Sequence, residues 1–319
     1  MRTSHSSPPS GRTEPRTHFT EIASGFAFAE SPRWHDNAFY VSDMYEGKIF
    51  RSEETSRQGW KTESVVDVGA DCGGIGWLPD GDLLVVHTSE RIISRHRRDV
   101  PSTLHIDLSG VADRDLNDMI VLPDGSLYVG TAPLKDGDDD LLSRSPIYHV
   151  SRSGRVSVAA EGFFNPNGMT LSTDRHHILV NETFGQQISS FPAIGHGRIE
   201  TKRTWCSLGP PLAPAKTEDV MSSLTIALDG MAAERHGDAV WVADAIGHRV
   251  LRVTDRGIER QILTGHEQPF ACAIGGINGD ILCICLAKDF NRPDRIRLRD
   301  SRLVVLQIPV EGTNHEPEL

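Results

Sequence analysis

The chain has 319 residues, with 44 Asp and Glu against 33 Lys and Arg, a formal net charge of −11 and a sequence pI near 5.7. That balance excludes a nucleic-acid or anionic-membrane surface, because a phosphate backbone demands clustered Lys and Arg, and no apolar run reaches the roughly 18 residues of a membrane span. Five cysteines, an odd number with no CxxC or Cys/His ligand spacing, fit reduced thiols; with no signal-peptide core in sight, a soluble cytoplasmic protein is the expectation.

Residues 1–18, rich in Ser, Pro, Arg and Thr, are expected to form a disordered leader, and 19–319 a single folded unit. Along that unit a degenerate pattern recurs six times: a turn built on Asp, Asn or Gly, then a short run of strand formers. The copies read RWHDNAFYVSD from Arg33, WLPDGDLLVVHT from Trp77, VLPDGSLYVGT from Val121, LSTDRHHILVNET from Leu171, AERHGDAVWVAD from Ala233 and GINGDILCICLA from Gly276. Their turns fall near Asp36, Asp80, Asp124, Asp174, Gly237 and Gly279, at steps of about 44, 44, 50, 63 and 42 residues. One four-stranded propeller blade takes about 40 to 50 residues, so the spacing predicts an all-β, six-bladed β-propeller.

Within each copy, stretches such as SLYVGT and AVWVADA collect β-branched and aromatic residues between turn signals, and helical periodicity is nearly absent. A propeller must tie its last blade to its first to remove an open sheet edge. HFTEIAS near the N-terminus and RLVVLQIPV from Arg302 are the segments expected to share that blade. The longest intervals, around 131–146 and 206–224, carry DGDDD and GPPLAPAKTED and read as loops over one propeller face. The DGDDD run lacks EF-hand spacing and the closing Glu, so it reads as a solvated acidic turn. Cys283 and Cys285 share one strand face and read as small core residues, and Trp34, Trp77 and Trp241 as inter-blade core.

Four oxygen-bearing side chains occupy like positions in their repeats: Glu30 in FAESPRW, Asn117 in DLNDMIVLPDG, Asn167 in NPNGMTLS and Asp229 in ALDGMAAE. Each precedes the turn of its repeat by about one strand. In a propeller that places all four at one end of the innermost strands, around the central channel. Taken singly, PNG and LDG are ordinary turn formers; four equivalent positions point instead to a site for a divalent metal in the channel. Two carboxylates and two amides are hard oxygen donors that suit Ca²⁺, Mg²⁺ or Mn²⁺, with Zn²⁺ accepted where availability favours it. His87 in LLVVHTSE and Glu182 in LVNETFG stand at strand ends, where they either line the pocket or sit in blade-connecting turns. Asp43 and Asp244 occupy matching positions and read as carboxylates bonding turn amides.

The motifs ESPRW, NDM followed by PDG and YVGT, PNGM, and DGM followed by VWVAD occur in order, one per blade, and resemble the family of gluconolactonase, senescence marker protein (regucalcin) and luciferin-regenerating enzyme over about residues 20–310. The resemblance implies a six-bladed propeller with one catalytic divalent metal, Ca²⁺ foremost. It also implies Glu30, Asn167 and Asp229 as direct metal ligands, Asn117 binding substrate or completing the metal shell, and Asp229 as the catalytic acid or base. A metal-dependent hydrolase opening a lactone or related ester, with a small-molecule substrate, is the activity it suggests. A metal with open positions polarises a carbonyl, and a carboxylate beside it takes a proton from water.

The departures bear on substrate. Sugar-lactone members carry Arg two residues before the Asn of the NDM-like motif; here that position is Asp115, and Arg114 lies one residue away, on the opposite face of a strand. The segment after VGT is APLKDG, without the acidic residue those members use. A less polar lactone or ester is therefore expected. Two alternatives share the same four side chains: a phosphotriesterase of the diisopropyl fluorophosphatase type, and a non-catalytic metal-binding propeller.

Overall fold

The computed structural model describes residues 18–56, 59–137, 140–193 and 200–309. The leader expected at the N-terminus falls outside them, apart from His18. Strand β1 (Thr20–Phe26) is followed by six sets of strands that wind outward from the channel. The first blade holds β2 (Ala29–His35), β3 (Ala38–Asp43), β4 (Lys48–Thr55) and β5 (Gly59–Asp67). The second holds β6 (Cys72–Trp77), β7 (Leu83–His87), β8 (Ile92–Arg97) and β9 (Val100–Asp107). The third holds β10 (Leu116–Val121), β11 (Leu127–Thr131), β12 (Ser145–Val150) and β13 (Val156–Phe163). The fourth holds β14 (Pro166–Leu171), β15 (His177–Glu182), β16 (Gln187–Pro192) and β17 (Arg203–Ser207). After helix α1 (Thr217–Ser223) the fifth holds β18 (Leu228–Ala233), β19 (Val240–Asp244), β20 (Arg249–Thr254) and β21 (Gly257–Leu263). The sixth holds β22 (Gln268–Gly275), β23 (Ile281–Ala287) and, after helix α2 (Arg292–Leu298), β24 (Ser301–Gln307).

The six turns of the sequence repeat are the hairpins joining the first and second strand of each blade. Strand β1 completes the sixth blade by pairing antiparallel with β24, Thr20 opposite Val305, in the sheet order β1-β24-β23-β22. HFTEIAS and the Arg302 segment thus meet as expected, and no blade is left with an unclosed seam.

The core lies between blades. Phe39 and Val41 of the first pack with Ala271, Cys283, Cys285 and Leu303 of the sixth, so the two cysteines are small core residues. All five cysteines are buried and unpaired. Trp241 is buried in the core; Trp34 and Trp77 are half-buried, pack against the inter-blade clusters as expected and also line the channel.

Two seven-residue helices were not legible in the repeat. Helix α2 starts on Asn291, whose side chain accepts from Asp294 N, and stops on Arg299 in the left-handed region at φ 50°. Both helices, with residues 132–137 and 140–144, rise at one mouth of the channel: β11, β23 and the approach to β18 all end or begin there. Leu142 and Val220, one from each long loop, pack together with Phe164 and Phe184, which flank β14 and β15 of the fourth blade. No helix among the described residues is long and apolar enough to cross a membrane.

Candidate active site

Glu30, Asn117, Asn167 and Asp229 are each the second residue of an innermost strand, β2, β10, β14 and β18. Cross-strand register fixes the equivalence: the preceding residues Ala29, Leu116, Pro166 and Leu228 face Asp43, Thr131, Glu182 and Asp244, the last residues of the second strands. In the remaining blades the same register places Gly73 and Pro269, which carry no donor. Every innermost strand breaks its ladder just here, as between Glu30 and Arg33, Pro166 and Met169, and Leu228 and Met231. Such bulges re-aim side chains, and around a channel they turn four polar groups toward one axis.

The glycines after Asn167 and Asp229 have a different task from turn formation. A Cβ on Gly168 would lie 2.4 Å from Met231 N of the next blade, and one on Gly230 would lie 2.6 Å from Ala271 Cα. Gly74 stands in the same relation to Met119 N, at 2.3 Å. NG and DG in these motifs are points where adjacent innermost strands touch, which draws their side chains into a narrow channel.

All four polar side chains are half-buried. Burial, and then the neighbouring Asp229, hold the Glu30 carboxyl well above its ordinary range, although Ser31 N donates to its Oε2 at 2.7 Å. Asp229 is pushed up to about 8 by burial, against a hydrogen bond from Asn167 and with Asp118 adding to the rise. Asn167 Nδ2 also approaches Thr183 Oγ1 at 3.4 Å, and Thr183 Oγ1 donates to Leu228 O at 2.7 Å. Asn181 Nδ2 donates to Asp229 O at 2.5 Å, so strand β15 holds the Asp229 backbone from the side. Asn117 Nδ2 donates to Pro166 O at 3.4 Å.

Sequence reasoning missed Asp118 and Arg33. Arg33 Nη2 donates to Asp118 Oδ1 at 2.6 Å and to Met119 O at 3.0 Å, and the Ser31 hydroxyl stands 3.4 Å from the same carboxylate. With Glu30, Asp118 and Asp229 ionised, three carboxylates face one guanidinium, leaving two negative charges. Among the described residues no three His, Cys, Asp or Glu side chains gather as a metal site, so the donor set is two carboxylates supplemented by amide oxygens. That set would fit a hard divalent cation: it is all oxygen, and two carboxylates match the charge of a divalent ion.

His87 and Glu182 are spent inside their own blades. The ring nitrogens of His87 lie 2.8 Å from Glu90 Oε2 and 2.8 Å from Ser94 Oγ. Glu182, fully buried, accepts from Phe164 N at 2.8 Å, from Gln187, from the Ser189 hydroxyl and from Lys202 Nζ at 2.5 Å. Asp43 accepts from Ala27 N and Phe28 N, and Asp244 from Ala227 N, in the same register. Glu182 therefore joins Asp43 and Asp244 as a carboxylate that caps the segment entering an innermost strand; the expectation that it lines the pocket gives way to that full burial. Arg114 is likewise turned into the protein, donating to Asp113, Ser143 Oγ and Arg144 O. In the acidic run, Asp136 pairs with Arg91 and Asp140 accepts from Thr217 N; residues 138–139 lie outside the described residues.

The rim beside Glu30 and Asp229 is aromatic. Tyr45 stacks on Phe28, which packs edge-on against Phe270, and Met44, Leu224 and Ile246 join the same cluster. Burial and then the Glu30 charge push the Tyr45 phenol up to about 12, so it stays protonated and donates to Phe290 O. Arg292 of helix α2 lies over the Tyr45 ring and pairs through both terminal nitrogens with Asp71. No repeat signal marks Arg292, because it sits in an insertion.

Comparison with known proteins supplies the context. A stretch of 169 residues is 26% identical to the pentonolactonase XacC of Haloferax volcanii, covering 48% of this chain and about half, 49%, of that protein's length. A luciferin-regenerating enzyme superposes with a TM-score of 0.72 at 16% identity, over 93% of this chain and 97% of the other. The calcium-binding protein regucalcin from Agrobacterium tumefaciens gives 0.73 at 15% identity, over 93% and 96%. A gluconolactonase from Xanthomonas campestris gives 0.66 at 18% identity, over 97% and 99%. At these identities the superpositions establish a shared fold. The family model described as SMP-30/gluconolactonase/LRE-like region matches residues 28–288, most of the chain and all four channel positions, and the protein belongs to that family.

Proposed function

We propose that this protein is a hydrolase that opens a lactone or related ester with the help of one divalent cation, Ca²⁺ first, with Mg²⁺, Mn²⁺ or Zn²⁺ as substitutes. Glu30, Asn167 and Asp229 would hold the ion, and Asn117 would face substrate or complete its shell. The observation that carries this reading is the placement of four oxygen-bearing side chains at one register position of four innermost strands. Family membership and the similarity to a pentonolactonase support a lactone as the substrate. When bound, the cation would polarise the carbonyl and stabilise the charge developing on its oxygen.

The chain's own residues supply the rest. Asp229, ionised in the working state, takes a proton from the attacking water as its oxygen bonds to the lactone carbonyl carbon. It returns that proton to the ring oxygen when the acyl–oxygen bond breaks, and a hydroxy acid leaves. Asn167, bonded to Asp229, orients the carboxylate. Thr183 and Asn181 fix the strand that carries it. Phe28, Tyr45 and Phe270 exclude water on one side and favour a lactone with an apolar substituent over a polyol, whose hydroxyls would lose partners there. Arg114, turned into the body of the third blade, is not placed to grip a polyhydroxylated ring.

The test is a proton-release assay over aliphatic, aromatic and sugar lactones, together with an aryl phosphotriester, on metal-free and Ca²⁺-reconstituted protein. Cation-dependent opening of alkyl or aryl lactones, ahead of gluconolactone, is the expected result. Turnover of the phosphotriester with no lactone opened would overturn it.

A further inference from the structure

The Arg33–Asp118 pair stands partway along the channel, and the innermost strands continue beyond it. There they enclose a cavity of about 440 Å³, separate from the aromatic rim at the other mouth. Its large uncharged side chains are Trp34, Trp77, Ile75, Met169, Met231 and Ile274, and polar atoms share the exposed lining with them. Two arginines, Arg33 and Arg235, line it, and no carboxylate does. In a chain with 44 acidic and 33 basic residues, a wall with cations alone is a local reversal of sign.

The two guanidiniums differ. Arg33 is half-buried and already pairs with Asp118. Arg235 is exposed, and its Nη1 donates to Ile277 O at 2.6 Å. Its stem lies over Gly279, where an added Cβ would come within 2.8 Å of Arg235 Cδ. Arg235 is thus held at the cavity lip by a backbone carbonyl, with no ion pair to a carboxylate among the described residues.

We propose that this end of the channel is a second binding site, for a small organic monocarboxylate with an apolar body. The volume falls in the range of pockets that hold small molecules, about 300 to 1,000 Å³. An apolar body gains by leaving water against the Trp, Met and Ile walls, and a carboxylate matches the planar fork of Arg235. A cation would meet only like charge among the charged side chains of the lining. The site is independent of the chemistry at the other mouth.

The experiment titrates full-length protein with 3-phenylpropanoate, following tryptophan fluorescence, to which Trp34 and Trp77 contribute, and calorimetry. The neutral 3-phenylpropanol and the cationic 3-phenylpropylamine are run beside it. Saturable binding of the carboxylate is expected, with the alcohol at least about tenfold weaker and the amine not bound. Arg235→Gln, an exposed change, should weaken the carboxylate about tenfold with an unaltered melting temperature, and Ala232→Phe should abolish binding by filling the cavity. Asp229→Asn, at the opposite end, should leave it unchanged. Equal affinity for acid and alcohol, no saturable binding by the carboxylate, or loss in Asp229→Asn with retention in Ala232→Phe would each overturn the proposal.

Discussion

Arg33, on the innermost strand of the first blade, donates to Asp118 on that of the third, Nη2 to Oδ1 at 2.6 Å. The strand between them, in the second blade, carries Gly73, Gly74 and Gly76 and offers no side chain that would intervene. The channel is thereby crossed by one ion pair that also sets the charge of the site above it.

Removing the cation leaves Asp118, nearly buried, with only the Ser31 hydroxyl and a backbone N–H. Arg33→Met is expected to cost about 2 to 4 kcal/mol in urea unfolding, because an unpaired buried carboxylate remains. Arg33→Met with Asp118→Asn should recover much of that loss, since no lone charge is left behind.

The carboxyls respond to pH in a direction fixed by their environment. Asp229 rises to about 8 from its ordinary 3.8, and Glu30 rises with it. These two carboxyls therefore bind more protons in the folded metal-free protein than in the unfolded chain, and their contribution to stability falls as pH climbs from the ordinary carboxylate range to about 8. Asp229→Asn removes the penalty and should stabilise the metal-free protein by about 1 to 3 kcal/mol at pH 8, with little change at pH 4. Thermal melts at both pH values, in chelator, check this.

Cation binding must then displace protons. Asp229, pushed up to about 8, is largely protonated at pH 7, so Ca²⁺ should release about one proton or more, and its affinity should climb as pH rises toward 8. Calorimetry in buffers of different ionisation enthalpy reads the count. Binding with no proton released at pH 7 would place the ion elsewhere.

Close strand contact, rather than turn geometry, explains Gly230. A methyl group there would meet Ala271 at 2.6 Å, backbone included. Gly230→Ala is expected to cost about 3 kcal/mol or more and to weaken cation binding by displacing the adjacent Asp229. Alanine at Gly81, where an added Cβ meets nothing within 4 Å but φ is 89°, should cost only about 1 kcal/mol, from backbone conformation.

The repeat made the fold legible: six Asp- or Gly-centred hairpins at blade spacing leave little choice of architecture, and β1 with β24 follows from the need to close it. The positions of Glu30, Asn117, Asn167 and Asp229 were legible for the same reason, because an equivalent register means an equivalent place in space. Arg33 and Asp118 were not, since their partnership spans two blades and depends on the bulges after residues 30 and 116. The sequence left Glu182 between pocket and blade-connecting turn, because its equivalence to Asp43 and Asp244 appears only when Pro166, Ala29 and Leu228 are seen facing them across the ladder. Tyr45 and Arg292 lie in a turn and an insertion, where no repeat assigns them a place.

The central claim, one cation site at Glu30, Asn167 and Asp229 that carries lactone opening, is tested most directly by adding Ca²⁺ stepwise to metal-free protein. Occupancy is read by calorimetry and hydrolysis by proton release on the same samples. The account predicts hydrolysis that rises in proportion to a single occupied site, with Glu30→Gln binding far more weakly and Asp229→Asn giving no turnover even when loaded. Full hydrolysis at zero occupancy, or a single tight site indifferent to Glu30→Gln and Asp229→Asn, would contradict it.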